Sequence, residues 1–274
     1  MEINHEYLIR FGLFASVLII MMLWESLAPR RNPVDFMWVR RINNILLVAC
    51  STFMVWIFIP VSAVWISMYA KSQDWGLFNI IDMPLAFEIL ISILLLDLLI
   101  YSQHVAFHKI PLLWRLHRVH HTDQDFDTTT GIRFHPLEFI LSMGIKMAGI
   151  LVIGAPMVAV IIFEILLNSS SLFNHGNVGI PAKTDKILRW FIVTPDMHRV
   201  HHSVIREETD SNYGFNLSWW DKLFGTYRAQ PVSGHIQMKI GLNEFTGARA
   251  VKLLWLLVLP FIKQDRFRIS IKSF

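Results

Sequence analysis

The sequence predicts an all-α membrane protein: a polytopic helical bundle of three spans plus a long helical hairpin, with a cytoplasmic cap of histidine-rich helices. Three observations predict it. Apolar residues make up 54% of the 274-residue chain and charged residues only 17%, whereas soluble domains carry roughly 45–50% and about 25%. Four apolar runs are long enough to cross a hydrocarbon core of about 30 Å. Eight of the 12 histidines crowd into two short segments that follow such runs.

The composition excludes a soluble, disordered or collagen-like chain. The only cysteine, Cys50, lies in an apolar run, which excludes a disulfide framework, a CxxC zinc site and a thiolate-held iron–sulfur cluster. Any metal must therefore be held by nitrogen and oxygen. The net charge of +4 is too small to suggest nucleic acid, and the Arg and Lys residues flank apolar runs, which reads as membrane topology. Residues 1–274 form a single integral-membrane domain on this reading.

The first run, Tyr7 to Leu27, lacks a small-residue cleavage site and is read as a retained span. Arg30, Arg31, Arg40 and Arg41 follow it, whereas the charges before it are Glu2 and Glu6. The positive-inside rule then puts the arginine loop in the cytoplasm and the N-terminus outside. The second run, Ile45 to Ala70, returns outward with a kink at Pro60. The third, Pro84 to Gln103, delivers His104 and His108 to the cytoplasmic face.

The fourth run, Leu137 to Leu167, decides the topology. As one helix it would measure about 46 Å, too long for a simple span. Gly149, Gly154 and Pro156 punctuate its middle, so the chain is expected to turn back there as a hairpin. His121 and His198 then lie on one membrane face and can share a site. The last apolar stretch, Val251 to Ile262, is too short to span and is expected to be interfacial or packed.

The histidines carry the chemistry. Residues 103–123 read QHVAFHKIPLLWRLHRVHHTD, with His104, His108, His117, His120 and His121; residues 196–203 read DMHRVHHS, with His198, His201 and His202. HxxxH thus occurs once and HxxHH twice. On a helix, residues four and three apart lie about 40° and 60° to either side of a common face, so each motif gathers its imidazoles on one side. The adjacent pair in HxxHH diverges by about 100°, which lets one imidazole face one metal and its neighbour a second. Imidazole suits iron, zinc, copper and nickel alike. A zinc-peptidase HExxH is absent, since His5-Glu6 has no second histidine after it. The PVSGH segment at Pro231 to His235 lacks the companion motifs of a lipid phosphatase.

HxxxH, HxxHH and a distant HxxHH separated by an apolar hairpin resemble the sterol desaturase and fatty acid hydroxylase superfamily of membrane di-iron oxygenases. The resemblance runs from about Asp97 to Arg228 and includes TTGIRFHPLE (129–138), FNHGNVG (173–179) and NYGFNLSWWDKLFGTYR (212–228); residues 84–228 are expected to be the catalytic region. It implies that His104, His108, His117, His120, His121, His198, His201 and His202 ligate two iron ions. His175 matches the additional family histidine. Some relatives carry a further histidine four residues earlier, where this chain has Ser171.

Four residues are candidates to orient ligands: Asp97, two helical turns before His104; His135, in the His-Pro pair; Asp196; and Asp221. Glu164, Asn168, Ser171 and His175 form a polar stripe on a continuous helix. Trp219, Trp220 and Tyr227 read as an interfacial aromatic belt.

The resemblance implies O2-dependent hydroxylation of a lipid C–H bond, with desaturation as the nearest alternative. A haem-based membrane electron carrier and a metal transporter are the alternatives from other classes. No GxGxxG fingerprint or haem domain appears, so an external reductant is expected: a ferredoxin, a cytochrome b5-like protein or a pterin. Arg115, Arg118 and Arg199 are candidates to dock an acidic carrier. Zinc is expected to be able to replace iron on purification. The expected location is multi-pass in a bacterial inner membrane or the endoplasmic reticulum, with the active site on the cytoplasmic face.

Overall fold

The computed structural model describes residues 3–33 and 37–263. Glu2, on which the orientation reading draws, lies outside them, as do residues 34–36 of the arginine loop. All regular structure among the described residues is helical, with three isolated bridges between loops. The expected all-α bundle with a histidine-rich cap is what forms.

Five segments are long and apolar enough to cross a membrane. They contain α1 (Ile3–Leu27), α2 (Met37–Phe58), α5 (Leu85–Lys109), α7 (Pro136–Ile153) and α8 (Met157–Asn174). Between α2 and α5 lie α3 (Ala63–Ser72) and the single turn α4 (Leu77–Ile80). Phe11, Ile20, Trp56, Phe87 and Val152 point outward on the spans and are exposed. That is the surface a hydrocarbon solvent calls for.

The second apolar run differs from expectation. It is two helices and not one kinked span, because Pro60 supplies no amide and Ser62 restarts the chain by capping α3, accepting from the Trp65 amide at 3.0 Å. Helix α3 then folds against the tip of the α7–α8 hairpin, where Ser67 Oγ donates to the Ala155 carbonyl at 2.5 Å.

The hairpin forms as the run length requires. Helices α7 and α8 have 18 residues each, about 27 Å apiece. Gly154 ends α7 in the left-handed region at φ +67°, which glycine adopts without a Cβ clash, and Pro156 precedes α8. The two outer ends of the hairpin, and with them His135 and His175, therefore lie on one side, here called the histidine side. Leu96 and Ile100 of α5, Ile150 and Ile153 of α7, and Val160 and Phe163 of α8 form the core between the spans.

Buried ionisable side chains inside the bundle find polar partners, as hydrocarbon demands. Glu164 of the expected polar stripe bonds to Lys146 on α7 and to Arg10 on α1 at 2.8 Å. On the histidine side, a buried polar network ties α1 and α2 to the loop after α6 (Pro111–His121). Arg40 pairs with Asp123 at 2.7 Å and with Asp127; Arg41 pairs with Asp127 at 2.8 Å and Glu25 at 3.1 Å. Arg133 donates to Asn44, Thr122, and the carbonyls of Val119 and Ala250.

The cap continues through α9 (Ala182–Leu188), α10 (Pro195–His201), α11 (Arg206–Thr209), α12 (Trp219–Leu223), α13 (Gly234–Gln237) and α14 (Leu253–Val258). The last apolar stretch takes the packed alternative. Leu256 and Leu259 bury against Leu47 of α2 and Val119 of α6.

Candidate metal centre

The HxxxH motif occupies the last two turns of α5. Pro111 follows almost at once as the first residue of α6, where its missing amide costs nothing. The sharp corner folds α6 back so that His117 meets His104, Nε2 to Nε2, at 3.1 Å. The second HxxHH takes up α10 and its C-cap residue His202; this helix also starts with a proline, Pro195, and is capped by Thr194.

Nine buried histidines form two groups. His104, His108, His117, His121 and His201 make the first; His120, His175, His198 and His202 make the second, with the ligand atoms of each group all within 4.8 Å of one another. The adjacent pairs split between them. The first HxxHH gives His117 and His121 to one group and His120 to the other; the second gives His198 and His202 to one and His201 to the other. The two HxxHH motifs thus exchange their middle histidines, a consequence of the 100° between neighbours on a helix.

The donor set fits two metal ions. Two nitrogens bound to one metal at about 2.1 Å and roughly a right angle sit about 3 Å apart. His120 and His175 are 3.2 Å apart, and His175 and His198 3.1 Å, Nε2 to Nε2. Nε2 of His121, Nε2 of His201 and both ring nitrogens of His202 are buried without a hydrogen-bond partner. Orphaned buried nitrogens are costly unless something else satisfies them. Burial first, and then mutual repulsion, hold the basicity of His120, His121, His198 and His202 well below the ordinary imidazole value; for His201 burial again leads, with His104 next. Burial pushes His175 down to about 3. Neutral rings keep their lone pairs for a cation.

Outer partners fix the rings. His104 Nδ1 donates to the Tyr213 carbonyl at 2.7 Å, His201 Nδ1 to that of Ser211 at 2.7 Å, and His175 Nδ1 to that of Ser171 at 2.8 Å. Each leaves Nε2 directed at its group. Ser171 therefore serves through its backbone, while its hydroxyl donates to the Gly131 carbonyl at 2.6 Å. A Cβ on Gly131 would fall 2.4 Å from the Ser171 carbonyl oxygen. Gly131→Ala is expected to displace His175 and lower metal occupancy of the second group, read as metal per chain after purification.

Sequence reasoning missed Glu138, whose carboxylate lies 2.6 Å from His117 Nδ1, and Asp210, 3.5 Å from His108 Nδ1. Glu138 lies within the HPLE segment, and its place in the first turn of α7 disguises it as an ordinary helix-start acid. Glu138→Gln replaces the carboxylate that His117 Nδ1 meets at 2.6 Å and that orients its ring, so metal affinity is expected to fall about 10–100-fold in a metal-competition titration. An unchanged affinity would assign Glu138 to packing alone.

None of the four expected orienting residues touches a grouped imidazole. Asp97 accepts from the Asn216 side chain at 2.8 Å, the Leu217 amide at 3.2 Å and Trp220 Nε1 at 2.8 Å; these groups, not His104, satisfy it. Asp221 accepts from the amides of Tyr213 and Gly214 at 2.7 and 2.8 Å, one step removed from the carbonyl that holds His104. His135 caps α7 through Nδ1 and reaches the Leu257 carbonyl through Nε2, so both nitrogens are engaged. Asp196 pairs with Arg30 and Arg199.

The arginines expected at a docking face are largely internal. Arg118 donates to the carbonyls of Leu259 and Ile262, Arg115 to that of Pro260, and Arg199 is buried over the Phe126 ring.

The chain is 28% identical over 183 residues to the ornithine lipid hydroxylase OlsE of Rhizobium tropici, covering 67% of this chain and 53% of that protein. It is 28% identical over 135 residues to the alkylglycerol monooxygenase of Homo sapiens, covering 47% and 28% of the two chains. With the cholesterol 25-hydroxylase of Homo sapiens it shares 25% over 151 residues, covering 53% of each. The matched part is about half of the first and third relatives and less of the second. No solved structure matches. The resemblance read from the histidine motifs is shared by the model of the fatty acid hydroxylase family, which matches residues 89–226, and the chain belongs to that family.

Proposed function

We propose that this integral membrane protein is a di-iron oxygenase that hydroxylates a C–H bond of a membrane lipid, using O2 and electrons from a separate donor. The observation that carries the reading is the exchange of middle histidines between two buried imidazole groups. His104, His108, His117, His121 and His201 would hold one iron, and His120, His175, His198 and His202 the other. When bound, such a pair supplies the O2 reduction and C–H oxidation that no side chain performs unaided.

The chain's own residues hold the rings, orient them and exclude water. The carbonyls of Tyr213, Ser211 and Ser171 fix which nitrogen carries the proton. Phe134 stacks on His120 at 4.6 Å and Phe126 on His175 at 5.5 Å between ring centres, closing the second group behind apolar faces. The substrate class follows from position: the groups lie at the ends of membrane spans, where a lipid's reactive carbon arrives from the bilayer.

The relatives' names, two hydroxylases and a monooxygenase, support hydroxylation over desaturation. A haem carrier needs opposed axial pairs, not groups of five and four. A transporter is expected to set its ligands near the bilayer midplane, whereas these stand at span ends. The arginine loop shares the histidine side through Arg30 and Arg40, which by the positive-inside rule supports a cytoplasmic placement of that side. The donor is a ferredoxin, a cytochrome b5-like protein or a pterin.

Lipid mass spectrometry of cells with and without the protein tests the reaction. A lipid heavier by one oxygen atom supports it, one lighter by two hydrogens selects desaturation, and an unchanged lipid profile with iron-loaded protein contradicts both.

A further inference from the structure

Two cap segments place large apolar side chains on one outward surface. Ile187, Trp190 and Phe191 come from the end of α9 and the turn after it; Trp219, Leu223 and Phe224 come from α12 and its end. Their exposures run from 43% for Trp219 to 69% for Leu223. The segments are joined side by side: Trp219 Nε1 donates to the Trp190 carbonyl at 2.8 Å, and Ile192 bridges Leu217.

The anchoring of this ledge fixes its depth. Asn216, Leu217 and Trp220 bond to Asp97, and Phe224 stacks on Tyr101 at 5.4 Å. Asp97 lies seven residues before His104, about 10 Å along α5 toward the opposite end of the span, among Leu94–Leu99. The ledge therefore hangs from the interior part of a membrane helix, not above it.

Irregular backbone is tolerated at that depth only where its polar groups are satisfied by protein. Here they are. The amides of Tyr213 and Gly214 go to Asp221, that of Leu217 to Asp97, and that of Val193 to the Asn216 carbonyl at 3.0 Å. The Ser218 hydroxyl donates to the Arg189 carbonyl. What remains outward is apolar, rimmed by Lys183, Lys186 and Lys222, all exposed. Lys222 Nζ lies 4.7 Å from the centre of the Trp190 ring and donates to the Arg189 carbonyl at 2.6 Å, which holds its charge beside the exposed rings.

We propose that this ledge is embedded in the outer hydrocarbon of the leaflet on the histidine side, with its lysine rim at the lipid phosphates. The occupant is the bilayer itself. Its apolar side chains continue the lipid-facing surface of α5, and its cationic border complements anionic headgroups.

The test uses the full chain with Cys50→Ser and a single cysteine at Leu223→Cys, carrying an NBD fluorophore, in phosphatidylcholine–phosphatidylglycerol vesicles. Glu244→Cys, at an exposed polar site of the cap, is the comparison. Expected at position 223 are a blue-shifted emission, quenching by lipid spin-labelled at acyl carbon 5 and protection from aqueous iodide; position 244 gives the reverse. Iodide quenching at 223 equal to that at 244 overturns the proposal. So does protection from both quenchers, which would mean that protein covers the ledge. Trp190→Cys repeats the reading if Leu223→Cys is poorly expressed.

Discussion

His120→Ala and His201→Ala are expected to remove different metals. Each histidine sits in a motif whose other two members serve the opposite group. His120→Ala leaves the first group complete and reduces the second to three imidazoles, with His175 Nε2 deprived of its neighbour at 3.2 Å. His201→Ala reduces the first group from five imidazoles to four, taking away its one ligand from the second HxxHH, and spares the second group. Both should lower metal content from about two ions per chain toward about one and abolish lipid product. The remaining metal should respond differently to Glu138→Gln, which touches only the first group through His117. Adding Glu138→Gln should weaken the ion left in His120→Ala and leave the ion left in His201→Ala unaffected. Equal behaviour of the two double variants in a metal-competition titration would contradict the assignment of residues to groups.

Arg40→Met is expected to be the most destabilising single change away from the histidines. The guanidinium is buried and answers two buried carboxylates, Asp123 and Asp127. Removing it leaves those charges in a low-dielectric site with fewer partners, a loss of about 3–5 kcal/mol, or roughly 10 °C in thermal midpoint for a chain of this size. Thermal unfolding in detergent checks it. Asp123→Asn with Asp127→Asn should recover part of the loss, because the orphaned charges go too. The pH dependence has a definite sign. Burial pushes the Asp127 carboxyl up, but Arg40 and Arg41 outweigh it and hold it at about 2. Its folded value lies below the unfolded one, so its contribution is present above about pH 4 and is lost as pH falls toward 2. In Arg40→Met that loss should begin at higher pH.

The spans and the histidines were legible for physical reasons. Hydrocarbon leaves few ways to write a span, and adjacent ligands diverge on a helix wherever the helix lies. The hairpin followed from the length of the run together with Gly149, Gly154 and Pro156 near its middle. What escaped depended on distant chain. Asp97 points at a loop some 120 residues later, and only the fold shows that its partners are Asn216, Leu217 and Trp220 rather than His104. Arg118 and Arg199 looked like a docking face because sequence gives charge without burial. Glu138 was hidden because a first-turn acid has an ordinary reason to exist. Pro60 marked a break correctly, yet whether a proline kinks a span or ends it depends on what receives the next segment, here the hairpin tip beside Ser67.

Iron X-ray absorption on protein purified without oxygen, with the iron counted per chain, addresses the binuclear centre most directly. Two irons per chain with imidazole nitrogens as the dominant near neighbours are predicted. One iron or none in folded protein, or a shell dominated by oxygen, would contradict it.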